Sequence, residues 1–366
     1  ALALPFMPRS IRPGAFILFP GLALFLILSL PIGFTLETSF LGYPLVVCEV
    51  SKLTRIFGVI FSLIAMIGGV FSYHQKELGQ QTSALFYAGG ALGVTFASDY
   101  FTLFVFWEMM AVASSYLVWA SRTEESDRAG LRYLLVHLLG GSLLMAGVLL
   151  HAYETQSILI TRLAPEASLS SCLILIGISL NAAIPPLHAW LADAYPKATV
   201  TGAVFLSAFT TKSAVLVLIK IFAGWEILIW LGVIMALYGV VYAVLANDIR
   251  GILAYHIISQ VGYMVAAVGI GTEMALNGAT AHAFSHILYK SVLFMGAGVV
   301  LHTTGKSKLT ELGGLAKAMP ITLALYMIGA FSISGFPLFN GFISKSMIIS
   351  AAGESHLNAV LLLLLV

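Results

Sequence analysis

The sequence predicts an all-α fold, a polytopic bundle of membrane-spanning helices. Of its 366 residues 60% are hydrophobic and 9% are charged, and the mean hydropathy is +0.99. Soluble domains carry about 25% charged residues, so this chain has too little charge to cover a water-facing surface. Its apolar runs are long and continuous, which is typical of membrane helices and not of the alternating strands of a barrel.

The remaining composition argues against several other classes of protein. A net charge of +2 without a basic tail or acidic run gives no reason to expect a nucleic-acid partner. Cys48 and Cys172 are far apart and form no CxxC motif, which argues against a disulfide framework, a zinc site or an iron–sulfur cluster. No glycine-rich phosphate loop is present. We therefore expect no cofactor, no metal and no catalytic site of the chain's own.

Twelve apolar segments are long enough to be candidate spans. They are 14–34, 54–73, 80–98, 100–120, 130–152, 169–188, 200–222, 226–246, 251–271, 276–302, 319–335 and an interrupted one from about 338. Segment 35–52 is short and β-prone, so it is predicted to be an extramembrane loop or hairpin. Both ends resemble cut helices, since 1–7 is too short for a span and 357–366 is well below the roughly 20 residues a span needs. We expect 1–366 to be one transmembrane domain from a longer chain.

The few cations fall unevenly on the two sides that these spans define. Eleven lie in loops on one side, which are Arg9, Arg12, Lys76, Arg122, Arg128, Arg132, Lys197, Arg250, Lys306, Lys308 and Lys317. Three lie on the other side, which are Lys52, Arg55 and Arg162. The positive-inside rule then puts the first loop in the cytoplasm.

Five further charges fall inside predicted spans: Glu108, Lys212, Lys220, Lys290 and Lys345. A charge at mid-bilayer costs about 2.5–3.5 kcal/mol on insertion scales, so such residues pair or line a hydrated path. Glu108 and Lys212 are predicted to carry or gate protons as a pair, with a structural ion pair as the alternative. Lys220 lies near a helix end, where it can snorkel to the interface.

Titratable residues also follow one face of the 276–302 segment. His282, His286 and Lys290 are spaced by four, which puts them about 6 Å apart along one face of a helix. This spacing favours a proton relay through imidazole and water.

Two spans are predicted to be broken helices. Asn181, Pro185, Pro186 and His188 interrupt 169–188, and Gly335 and Pro337 interrupt the region before Lys345. A break frees backbone polar groups, which is tolerated beside protein or a wet cavity. One such break in each half is the pattern of transporters with internal repeats.

These residues resemble one family in order along nearly the whole chain. The matching pieces are Phe106-Trp-Glu-Met-Met110, Pro186-Leu-His-Ala-Trp-Leu191, Asp248-Ile-Arg-Gly-Ile-Leu-Ala-Tyr255, His286-Ile-Leu-Tyr-Lys290 and Gly335-Phe-Pro337. The chain is similar to the antiporter-like membrane subunits shared by complex I, Mrp-type cation/proton antiporters and membrane-bound hydrogenases.

The resemblance implies a fold, a function and partners. The fold would hold two inverted repeats, at about 70–220 and, incomplete, at about 225–366. The function would be proton or cation/proton translocation within a larger complex in a bacterial or archaeal membrane, with other membrane subunits and the lipid bilayer as partners. Glu108, Lys212, His286, Lys290, His282 and Lys345 would form the translocation axis, and the broken-helix residues would gate it.

The chain departs from the family at Asn181. The family usually carries a lysine there that pairs with the carboxylate at the position of Glu108, and asparagine cannot titrate. Three consequences stay open: Lys212 takes over, a different ion or loading step is used, or the subunit is structural or coupling and no longer pumps.

Two other functions compete with this interpretation. His137 and His151 are fourteen residues apart on one helix, as haem ligands could be, but no second helix carries a matching pair. The broken helices would also suit a stand-alone secondary transporter. The sequence leaves open whether sodium ions or protons are transported, and which type of complex contains the chain.

Overall fold

A computed structural model of the protein describes residues 1–40 and 42–365, and helices make up most of it. They are α1 (Arg12–Ser29), α2 (Lys52–Phe71), α3 (Leu78–Phe96), α4 (Tyr100–Trp119), α5 (Glu124–Thr155), α6 (Leu169–Asn181), α7 (Ala189–Ala194), α8 (Val200–Ala208), α9 (Thr210–Ile221), α10 (Glu226–Leu245), α11 (Ile249–Ile270), α12 (Glu273–Thr304), α13 (Leu315–Ala318), α14 (Pro320–Ile333), α15 (Asn340–Glu354) and α16 (Asn358–Leu364). Within the described residues, eight helical segments, counting α8 and α9 together, are long and apolar enough to cross a membrane. The predicted helical membrane fold is confirmed.

The segment between α1 and α2 is a two-stranded antiparallel hairpin, as the β-prone residues there indicate. Strand β1 (Thr35–Phe40) pairs with β2 (Tyr43–Glu49). The amide of Ser98 donates to Val46 of β2, which fixes the hairpin to the loop between α3 and α4. Ser51 and Thr54 then form a reciprocal capping box, which ends the hairpin and starts α2.

Loops that the charge count assigns to the same side contact one another. At what we call the basic end, Arg122 pairs with Glu77 at 2.8 Å and Arg132 pairs with Asp193 at 2.6 Å. At the opposite end, the amide of Ile160 donates to Ser98. These contacts join loops that are distant in sequence, so the alternation of spans assumed in the charge count agrees with the structure.

The centre of the bundle is built from α8, α9, α11 and α12, which are the most completely buried helices. Helices α10 and α11 pack backbone to backbone at glycines. A Cβ added to Gly239 would lie 2.3 Å from the amide nitrogen of Ser259, and one added to Gly232 would lie 2.3 Å from that of Ala266. Small residues let membrane helices approach this closely, which compensates for the lack of a hydrophobic driving force in lipid.

Both predicted helix breaks are present. Helix α6 ends at Asn181, and α7 begins eight residues later, after a turn in which Ala183 has a φ of +59°. Helix α14 ends at Ile333 and α15 begins at Asn340, with Gly335 at a φ of +70° between them. The limits of the two inverted repeats stay a prediction.

A third interruption, which the sequence analysis did not predict, divides the span 200–222. Phe209 stays in the right-handed helical region but departs from ideal helix angles (φ −98°, ψ −67°), and it separates α8 from α9. The amide of Thr210 donates to the hydroxyl of Tyr87 at 3.0 Å, and the carbonyl of Ser207 accepts from the ammonium of Lys212 at 2.6 Å. Two backbone groups at this break are thus hydrogen-bonded to side chains, those of Tyr87 and Lys212, instead of to other backbone groups of the helix.

Candidate functional site

Lys212 is fully buried in the first turn of α9, directly after the break at Phe209. Its ammonium donates to the Ser207 carbonyl, and no carboxylate lies within 4.0 Å of it in the described part of the chain. Burying an unpaired ammonium is costly, and a hydrogen bond to one carbonyl offsets part of that cost. Lys212 is therefore a buried amine whose one polar partner in the described residues is a backbone carbonyl.

Glu108 is half-buried on α4 and faces α5. Its Oε1 atom has no hydrogen-bond partner among the described residues, and it lies so close to Gly141 that a Cβ there would be 1.7 Å from it. The predicted pair with Lys212 is not a direct contact. The four ion pairs found in residues 1–40 and 42–365 join Arg122 to Glu77, Arg128 to Glu124, and Asp193 to both Arg132 and Lys197.

The three titratable residues of α12 share one face, as their spacing predicts. His282, His286 and Lys290 are all fully buried, and the rings of the two histidines are 6.2 Å apart. The Lys290 ammonium donates to the carbonyl of Leu253 at 2.9 Å, and His282 Nδ1 lies 2.8 Å from the Ser344 hydroxyl. Neither ring nitrogen of His286 has a hydrogen-bond partner within the described residues.

Lys345 sits at the second predicted break. Its ammonium donates to the carbonyl of Ile333 at 2.8 Å, at the end of α14, and lies 5.1 Å from the centre of the Tyr263 ring. A helix C-terminus and an aromatic face both attract a cation. The break therefore supplies the partners that hold this lysine inside the bundle.

Lys212, His282, His286, Lys290 and Lys345 form one group, which we call the cationic cluster. The side chains of Lys212, Lys290 and Lys345 lie within electrostatic range of His286, and those of Lys212 and Lys345 lie within range of Lys290. Like charges at this range repel, so the groups cannot all be protonated at once without a large energetic cost. Glu108 stands outside this group.

Sequence reasoning missed His256, a residue of α11. With Lys345, Gln260 and Ser334, His256 lines a cavity of about 170 Å³ between α10, α11 and the second break. Its Nδ1 has no partner in the described structure. A lone histidine inside a predicted span was the available signal, but it had no companion at helical spacing.

At the first break Asn181 is 1% exposed, and its Oδ1 lacks a partner in the described part of the chain. His188 packs edge-on against Tyr238 with ring centres 4.4 Å apart. Pro186 is exposed and Pro185 half-buried. At the second break Gly335 is half-buried and Pro337 is exposed. The proline and glycine residues thus shape the two breaks, while Asn181 lies inside the bundle.

Residues near the basic end hold the loops together. Asp193 bonds Lys197 at 2.7 Å and also Arg132, which the sequence analysis did not single out as a site residue. The Asp248 carboxylate caps α11, and Arg250 donates to the carbonyl of Ala198 at 2.7 Å. These contacts give Asp193, Lys197, Asp248 and Arg250 a structural role, since they join the loops and cap α11.

Comparison with known proteins identifies the family. The family model described as "NADH:quinone oxidoreductase/Mrp antiporter, TM" matches residues 97–366. The chain is 32% identical over 327 residues to an uncharacterised protein of Methanocaldococcus jannaschii, covering 84% of this chain and 68% of that one. It is 32% identical over 299 residues to a Na(+)/H(+) antiporter subunit of Alkalihalophilus pseudofirmus, covering 73% of this chain. It is 29% identical over 332 residues to the hydrogenase-4 component B of Escherichia coli, covering 81% of this chain.

Solved structures that resemble this chain come from the same family of complexes as its sequence relatives. The Mrp complex of a Dietzia species contains a chain that matches with a TM-score of 0.88 and 26% identity, over 97% of this chain and 72% of that one. Respiratory complex I from Thermus thermophilus matches with a TM-score of 0.84 at 23% identity, over all of this chain and 82% of that one, which shows the shared fold. This chain spans 37% of the length of the Alkalihalophilus antiporter protein and 49% of that of the hydrogenase component.

The helical bundle, its candidate spans and these likenesses define an integral, multi-pass membrane protein of the antiporter-like class. The chain belongs to the NADH:quinone oxidoreductase/Mrp antiporter transmembrane family.

Proposed function

We propose that this chain translocates protons, or exchanges cations for protons, as a membrane subunit of a larger complex. The cationic cluster carries the proton through the bundle, and Glu108 gates it. The observation that supports this most directly is a set of three lysines inside the bundle, of which Lys212 and Lys290 are fully buried and Lys345 is half-buried. Each is bonded to a backbone carbonyl, and none is paired with a carboxylate in the described residues.

Mutual repulsion within the cluster provides the means of transfer. A proton arriving on Lys212 raises the energy of a proton on Lys290, because both lie in a medium of low dielectric. His286 lies within the influence of both charges and has two unbonded ring nitrogens, so it can pass a proton from one lysine to the other. Lys345 and His256, beside the second break, then give the proton a polar cavity to enter.

Glu108 acts on this cluster through its charge. Its carboxylate has no local counterion, so its protonation or displacement changes the field inside the bundle. An anionic Glu108 favours a protonated Lys212, and a neutral one favours release. Glu108 is therefore the gating carboxylate of the proposed mechanism.

The energy for translocation would come from partner chains. The sequence contains no redox or nucleotide motif, and the relatives named as antiporter, hydrogenase and respiratory components belong to complexes of several subunits. The partners proposed for this chain are membrane subunits of such a complex.

A second function is favoured by Asn181. If the titratable partner of Glu108 is essential for pumping, this chain would serve as a structural or coupling subunit. The buried, unpartnered amide oxygen of Asn181 shows that the position lies inside the bundle but provides no proton site.

Lys212→Ala in the native complex distinguishes the two functions. Proton movement is followed with a pH-sensitive dye in inverted membrane vesicles, after a sodium pulse and, separately, after addition of an electron donor. We expect Lys212→Ala to abolish the dye response and tolerance of ion stress. Lys220→Ala is the matched control, because Lys220 is on the same helix but bonds the Ala97 carbonyl at the opposite end. Wild-type translocation by Lys212→Ala would show that the proposed function is wrong.

A further inference from the structure

A line of polar groups follows one face of α3 from the basic end to the break at Phe209. The polar residues are Glu77, Gln80 and Tyr87, and Ala84 lies between the last two. All four are spaced by three and four residues, so they lie on one face of the helix. Glu77 precedes the first turn of α3, and Tyr87 lies midway along it. We call this line the α3 path.

The mouth of the α3 path is a network of hydrogen bonds at the basic end. The carboxylate of Glu77, which keeps a quarter of its side chain exposed, accepts from the amide of Gln80 at 2.7 Å. The carbonyl oxygen of Gln80 accepts from the hydroxyls of Thr199 and Thr201 at 2.9 and 3.2 Å. Hydrogen-bonding groups thus reach without interruption from the surface at Glu77 to the buried side chains of Gln80 and Thr201.

A small cavity continues the path below this mouth. It has a volume of about 10 Å³ and is lined by Gln80, Gln81, Thr201 and Ala84 among others, which is close to the space that one water needs. Gln81 is 2% exposed, and its Oε1 has no partner within the described residues. Phe16, Leu117 and Phe205 line its apolar side. Ala84, which also lines it, is one turn before Tyr87 on the same face of α3, so the path continues along this face from the cavity towards the buried phenol.

Tyr87 connects the cavity to the helix break. Its hydroxyl is fully buried, lies 2.6 Å from the hydroxyl of Thr210 and accepts from the Thr210 amide at 3.0 Å. The carbonyl of Ser207, at the same break, holds the ammonium of Lys212. Tyr87 and Lys212 therefore satisfy the two sides of one interruption in the backbone.

We propose that protons reach Lys212 from the basic end along the α3 path, without passing through Glu108 or Asn181. A water in the cavity first takes up a proton from the basic end. It then gives a proton to the Tyr87 oxygen as the phenol gives its own to Thr210, and is left as neutral water. The Thr210 hydroxyl in turn gives its proton to the neutral amine of Lys212, which swings from Ser207 to take it. Each hydroxyl gains one proton and loses one, so both end neutral and the charge appears on Lys212. This route rests on the proposed function.

Four variants in the native complex test the route by the same vesicle assay, with rates divided by the amount of assembled complex. Tyr87→Phe and Thr210→Val each remove one hydroxyl of the path. Thr210→Ser keeps the hydroxyl at the same place. Tyr100→Phe is the matched control for Tyr87, because Tyr100 is also fully buried, and its hydroxyl has no partner in the described residues.

We expect Tyr87→Phe and Thr210→Val to lower the rate by at least about tenfold, since a positioned proton-transfer group contributes about 10²–10⁴-fold. Thr210→Ser and Tyr100→Phe should retain most of the wild-type rate. Wild-type rates in Tyr87→Phe and Thr210→Val, with Lys212→Ala inactive, would overturn the route and leave the proposed function standing. Equal losses in Thr210→Ser and Thr210→Val would also overturn it, because the hydroxyl would then not matter. An active Lys212→Ala would refute the proposed function itself.

Discussion

Substituting Gly141 by alanine is expected to displace the carboxylate of Glu108. The added Cβ would lie 1.7 Å from Oε1, whereas ordinary van der Waals contact begins at 3.4 Å. The carboxylate must therefore retreat by about the same 1.7 Å. Because the clash is with the far end of a flexible side chain, the backbone can stay in place and the protein should still assemble.

The size of the effect follows from this displacement. A misplacement of about 1 Å can cost a positioned catalytic group about 100-fold in rate. A gating charge acts over a longer distance, so its effect is less sensitive to a displacement of this size. We therefore expect the rate of proton movement to fall about tenfold, which equals about 1.4 kcal/mol in the barrier. Gly140→Ala is the matched control, because its Cβ would meet side-chain atoms of Leu180 at 3.3 Å, which is close to ordinary contact.

Both alanine variants are measured in inverted vesicles by the rate of proton movement per assembled complex, with assembly judged from how much of the variant chain co-purifies. The expected result is a slow Gly141→Ala and a near-normal Gly140→Ala. Equal rates for the two variants would refute the reasoning, since the position of the Glu108 carboxylate would then not set the rate.

Two further predictions concern stability. Burial tends to raise the pKa of Glu77, but hydrogen bonds from Gln80, Arg122 and Tyr116 and the charge of Arg122 outweigh it, so the pKa lies below its ordinary value of 4.5. Stabilisation by ionised Glu77 is therefore present above about pH 4.5 and lost as the pH falls through the lowered pKa. Glu77→Gln should lower the thermal midpoint of the purified complex at pH 7, and the loss of stability should be no more than about 1 kcal/mol for so exposed a pair. A difference in midpoint that did not shrink as the pH was lowered from 7 into the acid range would contradict this. Gly239→Ala should destabilise the bundle by about 1–3 kcal/mol, because its Cβ would meet backbone 2.3 Å away. Gly89→Ala, whose Cβ meets nothing within 4 Å, should unfold like the wild type in the same thermal scan, and equal midpoints for the two variants would show that the close packing of α10 on α11 is unimportant.

The membrane fold and the two proline- and glycine-marked breaks could be predicted from the sequence, because each depends on local chemistry. A run of apolar residues long enough to cross a bilayer must form a helix to satisfy its backbone. Pro186 and Gly335 cannot continue a helix without cost. The common face of His282, His286 and Lys290 follows from helical spacing alone.

The break at Phe209 could not be predicted, because no helix-breaking residue marks it and one of the groups that satisfy it comes from a distant helix. The sequence around Phe209 contains neither proline nor glycine. The groups that satisfy the open backbone are Tyr87, which is 123 residues from its partner Thr210, and Lys212. For the same reason the sequence did not indicate that Tyr87 belongs to the site, nor that His256 and Lys345 share a cavity.

The expected contact of Glu108 with Lys212 shows a different limit. Two opposite charges inside a membrane protein favour a pair on energetic grounds, since each is costly alone. The bundle instead places Glu108 against a glycine of α5 and Lys212 against a carbonyl of its own span. The sequence indicates the cost of a buried charge, whereas the packing of α4, α5 and α9 decides how that cost is met.

Asn181 separates two tasks that a lysine at its position would join. A titratable residue there would carry protons and would also transmit the charge state of Glu108 to Lys212. Asparagine ends proton transfer through this position, but it leaves the electric field of Glu108 acting across the bundle. If Lys212 takes its protons along the α3 path, the supply of protons and the signal that controls their release reach Lys212 from different helices. On this proposal a protein so arranged keeps translocation without the family lysine, because the hydroxyls of Tyr87 and Thr210 provide the proton supply and the field of Glu108 provides the signal.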